Sequence, residues 1–148
     1  MSKFVEAEYG STKEILKFPD HYVALAVMVD DEGIAPNENG KKIVPKGTIV
    51  GGISGSVIDD LTIHVGEKIV FTAGDPQGEP PTEDTWSAIG AEGVLKNDVD
   101  VTYGPKEGAM VIHGFIAIDK LPYDNNGAVV AAVRADAAEA FSMIKFIK

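Results

Sequence analysis

The run Glu92-Gly93-Val94-Leu95-Lys96-Asn97-Asp98-Val99-Asp100-Val101-Thr102-Tyr103-Gly104, followed after a short loop by Ala109-Met110-Val111-Ile112-His113-Gly114-Phe115-Ile116-Ala117-Ile118, decides the fold. It reads as two β-strands joined by a loop. Successive side chains of a strand point to opposite faces, so Val99, Val101 and Tyr103 share one face while Asp98, Asp100 and Thr102 share the other. Met110 to Ile118 is apolar on both faces, which places it in the core. Neither strand carries a reactive group in a recognisable setting.

The rest of the chain has the same character. Tyr22 to Val29 is a continuous apolar run, long enough for a strand buried on both faces, and it stops at Asp30-Asp31-Glu32-Gly33. Pro36-Asn37-Glu38-Asn39-Gly40 is dense in turn residues. Lys42-Ile43-Val44 and Thr48-Ile49-Val50 read as short strands around Pro45-Lys46-Gly47, a hairpin-like corner, and Gly51 to Gly55 as a flexible bend. Leu61 to Val65 alternates cleanly, and Gly66-Glu67 is expected to turn it into Lys68 to Thr72. Gly74 to Thr85, with Pro76, Pro80 and Pro81, is too poor in donors for a central strand.

Near the end, Val130, Val133, Ala137 and Phe141 recur at steps of three, four and four. That spacing makes one stripe of a helix, with Asn125-Asn126-Gly127 as its start. Ser142 to Lys148 alternates as a last strand. The predicted fold is mainly β: a small barrel or sandwich with a flexible N-terminal arm and one C-terminal helix. The arm covers residues 1–20, where apolar residues are spread among charges without a period. Residues 21–148 form a single β-rich domain.

The totals narrow the function classes. The chain has 148 residues, enough for one core that buries about 68–70% of the extended-state surface. Its net charge is −10, and Arg134 is the only arginine among thirteen basic residues. Nucleic-acid binders need clustered cations to neutralise phosphates, so nucleic acid is not an expected partner. The absence of cysteine excludes disulfides, thiol nucleophiles and thiolate zinc sites. No apolar stretch approaches a membrane span, and the N-terminus lacks the apolar core of a signal peptide, so no membrane association is expected.

Each candidate for chemistry has a plainer counterpart. Gly51-Gly52-Ile53-Ser54-Gly55-Ser56 fits neither a dinucleotide fingerprint nor a nucleophile elbow, and an inter-strand bend explains it better. His21, His64 and His113 lack the spacing of a helical metal pair, although folding could still assemble them. Asp98 and Asp100 sit about 7 Å apart on one strand face, near the range of glycosidase carboxylates. The oxygen-rich stretch Asp30 to Asn39 suits calcium but misses the EF-hand pattern. Solvation of outer strand faces accounts for these carboxylates. No catalytic residue, cofactor or metal is therefore expected. A serine-hydrolase set built on Ser54 ranks last. Trp86, after the Pro-rich loop, is either a core residue or an aromatic that stacks sugars or anchors an interface.

The segments "GKKIVPKGTIVGG" (residues 40–52), "GVLKNDVDVTYG…GAMVIHGFIAIDKLP" (93–122) and "MIKFIK" (143–148) resemble the head decoration proteins of tailed bacteriophages, also called capsid cement or head-fibre proteins. The resemblance runs from about His21 to Lys148. It implies a compact β-tulip domain that is not an enzyme. It implies trimers at local three-fold axes of the expanded head, clamping the major capsid protein on the outer virion surface after synthesis in the host cytoplasm. Asp124 to Arg134 is longer than the usual connection in that family, which leaves the helix unplaced. Within this reading Phe4, Val5, Tyr9 and Ile15 are the expected shell contacts, on their amphipathic character. The competing reading is a carbohydrate- or receptor-binding module displayed on a virion and centred on Trp86.

Overall fold

A computed structural model describes residues 14–148, so Phe4, Val5 and Tyr9 lie outside the described residues. The domain is mainly β, as expected, with ten strands and one α-helix among the described residues. The strands are β1 (Tyr22–Val29), β2 (Ile43–Val44), β3 (Ile49–Gly52), β4 (Val65–Glu67), β5 (Val70–Thr72), β6 (Thr85–Ser87), β7 (Gly93–Leu95), β8 (Val99–Asp100), β9 (Lys106–Ala117) and β10 (Ile144–Ile147). The helix α1 spans Asn126–Asp136.

The pairings β1–β4–β3–β7–β9 return to β1, closing a five-membered ring, and β10 adds to β9 in parallel. Closure removes sheet edges that would otherwise present unpaired N–H and C=O groups. Alternation then sends neighbouring residues to opposite sides of the ring. Val50, Leu95 and Met110 join one buried cluster with Val27, Val29 and Val65. Their chain neighbours Ile49, Val94 and Val111 join a second cluster with Val129, Val130 and Val133 of the helix. The helix therefore covers one outer face of the ring, and each strand pair contributes to two cores.

The helix starts where its sequence says it should. The Asn125 side chain accepts a hydrogen bond from the Ala128 N–H at 3.1 Å, satisfying one of the free donors of the first turn. Val130, Val133, Ala137 and Phe141 are all buried, although the helix itself stops at Asp136. At that end the Asp136 carboxylate accepts from the Ala88 N–H at 3.0 Å, fastening the helix to the segment after β6. In β10, Ile144 and Phe146 are buried and Lys145 is exposed, the alternation expected from sequence.

Several expectations are corrected. Residues 15–17 belong to the domain and not to an arm. Leu16 bridges Ile116, the Lys17 N–H donates to Phe115 O, and the Ala117 N–H donates to Ile15 O. Strand β1 buries only its second half, because Tyr22 and Val23 face solvent. Strands β2 and β3 do not form a hairpin: β2 pairs with β8, while β3 pairs with β4 and β7. The Pro45-Lys46-Gly47 corner thus carries the chain from one sheet to another. Gly66-Glu67 lies within a strand, and Leu61 to Ile63 is a turn held by the Asp60 carboxylate, which accepts from the Thr62 N–H and hydroxyl. Tyr103 does not share a strand face with Val99 and Val101: β8 ends at Asp100, Tyr103 lies in the turn that follows, and it is fully exposed while the two valines are buried.

Gly51 and Gly52 are strand residues, not a bend. A Cβ on Gly51 would sit 2.0 Å from Gly90 O, and one on Gly52 would sit 1.9 Å from Gly55 O. Glycine is required there because two backbone segments pass closer than any side chain allows.

Candidate functional site

Glu92 is the one charged residue buried among the described residues. It lies between Ala91 and strand β7, and its carboxylate faces the loop after β3. It accepts from the Gly52 N–H at 2.7 Å, from the Val57 N–H at 3.0 Å and from the Ser56 hydroxyl. Burial alone pushes a carboxyl upward. Here the hydrogen bonds from Ser56 and from the Gly52, Val57 and Ile58 backbones outweigh burial and hold it below the ordinary glutamate range. The arrangement is a clasp for residues 52–58. Every acceptor position is occupied by the chain's own donors, and Ser56 is consumed by it.

Tyr123 forms a second clasp. Its hydroxyl accepts from the Ile49 N–H at 2.9 Å and bonds the Glu67 side chain. Burial, the largest influence, pushes the phenol well above its ordinary value, and the neighbouring Glu67 charge adds to this. Replacing Tyr123 by Phe should cost about 1–3 kcal/mol of unfolding free energy, because the buried Ile49 N–H loses its acceptor. Chemical denaturation monitored by circular dichroism measures this directly.

The residues considered for chemistry are put to structural use. Ser54 is exposed and makes no hydrogen bond to a histidine; His64 instead faces Asp30 at 3.4 Å. The Asp98 carboxylate accepts from the Lys46 N–H at 2.8 Å. Asp100 accepts from the Thr102 N–H at 3.0 Å and from the Thr102 hydroxyl, which hold its carboxyl below the usual range. The two carboxylates tie turns and do not converge as an acid–base pair. In the Asp30 to Asn39 stretch, Asn37 Oδ1 accepts from the Asn39 and Lys41 N–H groups, closing a turn. Among the described residues no three His, Asp or Glu side chains gather to hold a metal ion. A groove of about 410 Å³ beside β1, β3 and β4 is lined by Val29, Asp30, Glu32, Ile34, Val50 and Lys68 among others, with no hydroxyl or imidazole side chain.

Among the exposed apolar side chains, aromatic residues pack against other rings in two places. The first surrounds Gly114 on β9. Phe18 packs edge-on against Phe115 at 5.1 Å, His21 lies 5.7 Å from Phe115, and Lys96 sits over the Tyr22 ring at 5.3 Å. Met143 adjoins, its carbonyl accepting from the Gly114 N–H. Phe18, Tyr22, Val23 and Met143 are all exposed. The second is the β5–β6 ribbon, where Phe71 pairs with Trp86 at a ring separation of 4.7 Å and Val70 is exposed. Trp86 is half-buried, packed on the helix-side core through one face. It is thus partly core and partly surface, a combination of the two sequence readings.

Of the expected shell contacts, Ile15 is corrected. Its relative exposure is 0%, and it packs in the helix-side core, so it is unavailable to a partner. Phe18, three residues on, is exposed. Sequence reasoning missed Glu92 and Tyr123, since a lone Glu beside a strand carries no signal that it is buried. No helix among the described residues is long and apolar enough to cross a membrane. Compared with protein-family models, curated proteins and solved structures, the chain has no match. The residues and their geometry therefore carry the functional reading.

Proposed function

We propose that the chain is a capsid decoration protein of a tailed phage. It would bind the major capsid protein on the outside of the expanded head as trimers at local three-fold axes, stabilising the shell by interface burial. The observation that carries this reading is the exposed aromatic surface around Gly114, where Phe18 stands against Phe115 and Tyr22 lies under Lys96. Clustered exposed apolar side chains on a rigid scaffold mark a surface meant to be covered. The sequence resemblance over residues 21–148 supplies the partner, and a closed β fold suits a clamp that must resist outward force. Modest single contacts repeated over a symmetric shell give high avidity.

Phe4, Val5 and Tyr9 keep their place in this proposal, joined by Phe18 and Tyr22. Deletion of residues 2–13, leaving the Ile15–Lys17 pairing intact, is expected to abolish co-sedimentation with expanded heads while the unfolding midpoint stays within about 2 °C, a change below roughly 1 kcal/mol. Attachment that survives this deletion and a Phe18→Ser, Tyr22→Ser double substitution would place the contact elsewhere.

The Phe71–Trp86 pair favours a second reading, a carbohydrate- or receptor-binding module on the virion surface. Sugars stack on exposed aromatic faces, and the ribbon offers two side by side. Glycan-array binding should then fall at least about tenfold in Phe71→Ala, the effect expected for an anchor aromatic. An array blank for the intact chain would remove this reading.

A further inference from the structure

The structure assigns a zinc-binding site to His21 and His113, two residues 92 positions apart whose Nε2 atoms stand 3.3 Å from each other. Two devices bring them together. Strand β1 pairs with β9 so that Val23 faces His113, and the pairing slips by one residue between Val23 and Ala24, leaving Ile112 as an extra residue on β9. A bulge of this kind resets alternation and re-aims the next side chain. Val111 and Ile116 both enter the helix-side core although they are five apart, which an unbroken strand forbids. The slip resolves this, and it turns His113 and Phe115 onto one face beside His21. Phe115, itself braced by Phe18, then stands against the His21 ring and helps fix its direction.

The separation is informative. With Zn–N bonds of about 2.0–2.1 Å, nitrogens 3.3 Å apart subtend about 104–111° at a shared ion, close to the tetrahedral angle. Square-planar or octahedral ions want about 90°, which needs the nitrogens nearer about 2.9 Å at the same bond lengths. Imidazole nitrogen is a preferred zinc ligand, and with two protein ligands water would have to complete the coordination. Neutral imidazoles also relate to each other through a single N–H···N hydrogen bond, so the alternative is a plain histidine pair. A bound ion would clip the segment holding Leu16 and Lys17 to the central strand. Because the unfolded chain does not hold the two rings together, zinc would raise thermal stability by mass action.

Zinc chloride titrated into the metal-free full-length chain should bind at one ion per chain by calorimetry and raise the unfolding temperature, with EDTA reversing the shift. His21→Gln and His113→Gln should each weaken zinc binding at least about tenfold, a loss that removal of even an outer-shell partner produces. Both side chains reach solvent, so the variants are expected to keep the wild-type circular dichroism spectrum. Equal zinc affinity in both variants and the intact chain would overturn the site, since surface carboxylates would then be the ligands. Cobalt(II) added to the intact chain gives a reading independent of the variants. Intense visible absorption of tetrahedral coordination supports the site, and the faint spectrum of an octahedral ion refutes it.

Discussion

Replacing Glu92 by Ala is expected to remove about 2–6 kcal/mol of unfolding free energy, because the buried N–H groups of Gly52 and Val57 lose their acceptor at about 1–3 kcal/mol each. Against a total of about 5–15 kcal/mol, that is a large share of the protein's stability. The midpoint of thermal unfolding should fall on the order of 10 °C. The effect should exceed that of Ser56→Ala, which removes one donor and leaves the backbone bonds in place. The pH dependence has a definite sign. The folded-state pKa lies below the unfolded value of about 4.3, so the carboxylate's stabilisation is complete above that value and is lost as pH falls through the folded-state pKa. Glu92→Gln should flatten the acid limb of the stability curve, as measured by urea unfolding across that range. An acid limb unchanged in Glu92→Gln would show that the clasp does not exist in solution.

Gly51→Ala should be more severe still. The new methyl would lie 2.0 Å from the carbonyl oxygen of Gly90, and a backbone atom in a closed ring has nowhere to retreat. Overpacking ordinarily costs about 1–3 kcal/mol when side chains can move aside, and here they cannot. A loss above about 4 kcal/mol is expected, enough to leave much of the chain unfolded or aggregated at 37 °C. Gly127→Ala is the matched control. Its Cβ would meet only Asn125 Oδ1 at 3.7 Å, an ordinary contact within a helix. Alanine there should stabilise by about 0.5–1 kcal/mol through better helix propensity. Opposite signs for the same chemical change would locate the effect in the close approach of strands and not in glycine content.

Local patterns were legible in the sequence, and partnerships between distant segments were not. Asn125 as the start of a helix, the stripe through Val133 and the alternation of Ile144 and Phe146 each depend on residues within a few positions. The apolar run at Met110 also declared itself, because a strand buried on both faces needs no partner to be recognised. The hairpin expected at Pro45-Lys46-Gly47 failed for the complementary reason. The corner exists, but β2 finds its partner in β8, 55 to 57 residues further along the chain, and β3 finds its partners in β4 and in β7, the latter 43 to 45 residues further along. Gly51-Gly52 looked like a bend because the carbonyls that exclude a side chain arrive only on folding. Ile15 shows the limit most clearly: an amphipathic stretch announces that one side will be covered, without saying whether the protein's own core or a partner covers it.

The same limit governs the candidate surface. Exposed Phe18 and Tyr22 are visible as aromatic residues in the sequence, yet their exposure follows from where β1 leaves the ring. His21 and His113 have no spacing to betray them, since a register slip within β9 brings them into reach.

The most direct test of the proposed decoration role is sedimentation of the purified chain with expanded, undecorated heads of the tailed phage that this proposal implies, beside unexpanded procapsids of the same phage. Saturable binding to the expanded heads alone is expected, at a copy number that is a multiple of three per local three-fold axis. Absence of binding to either shell would contradict it and leave the Phe71–Trp86 ribbon as the surface to pursue.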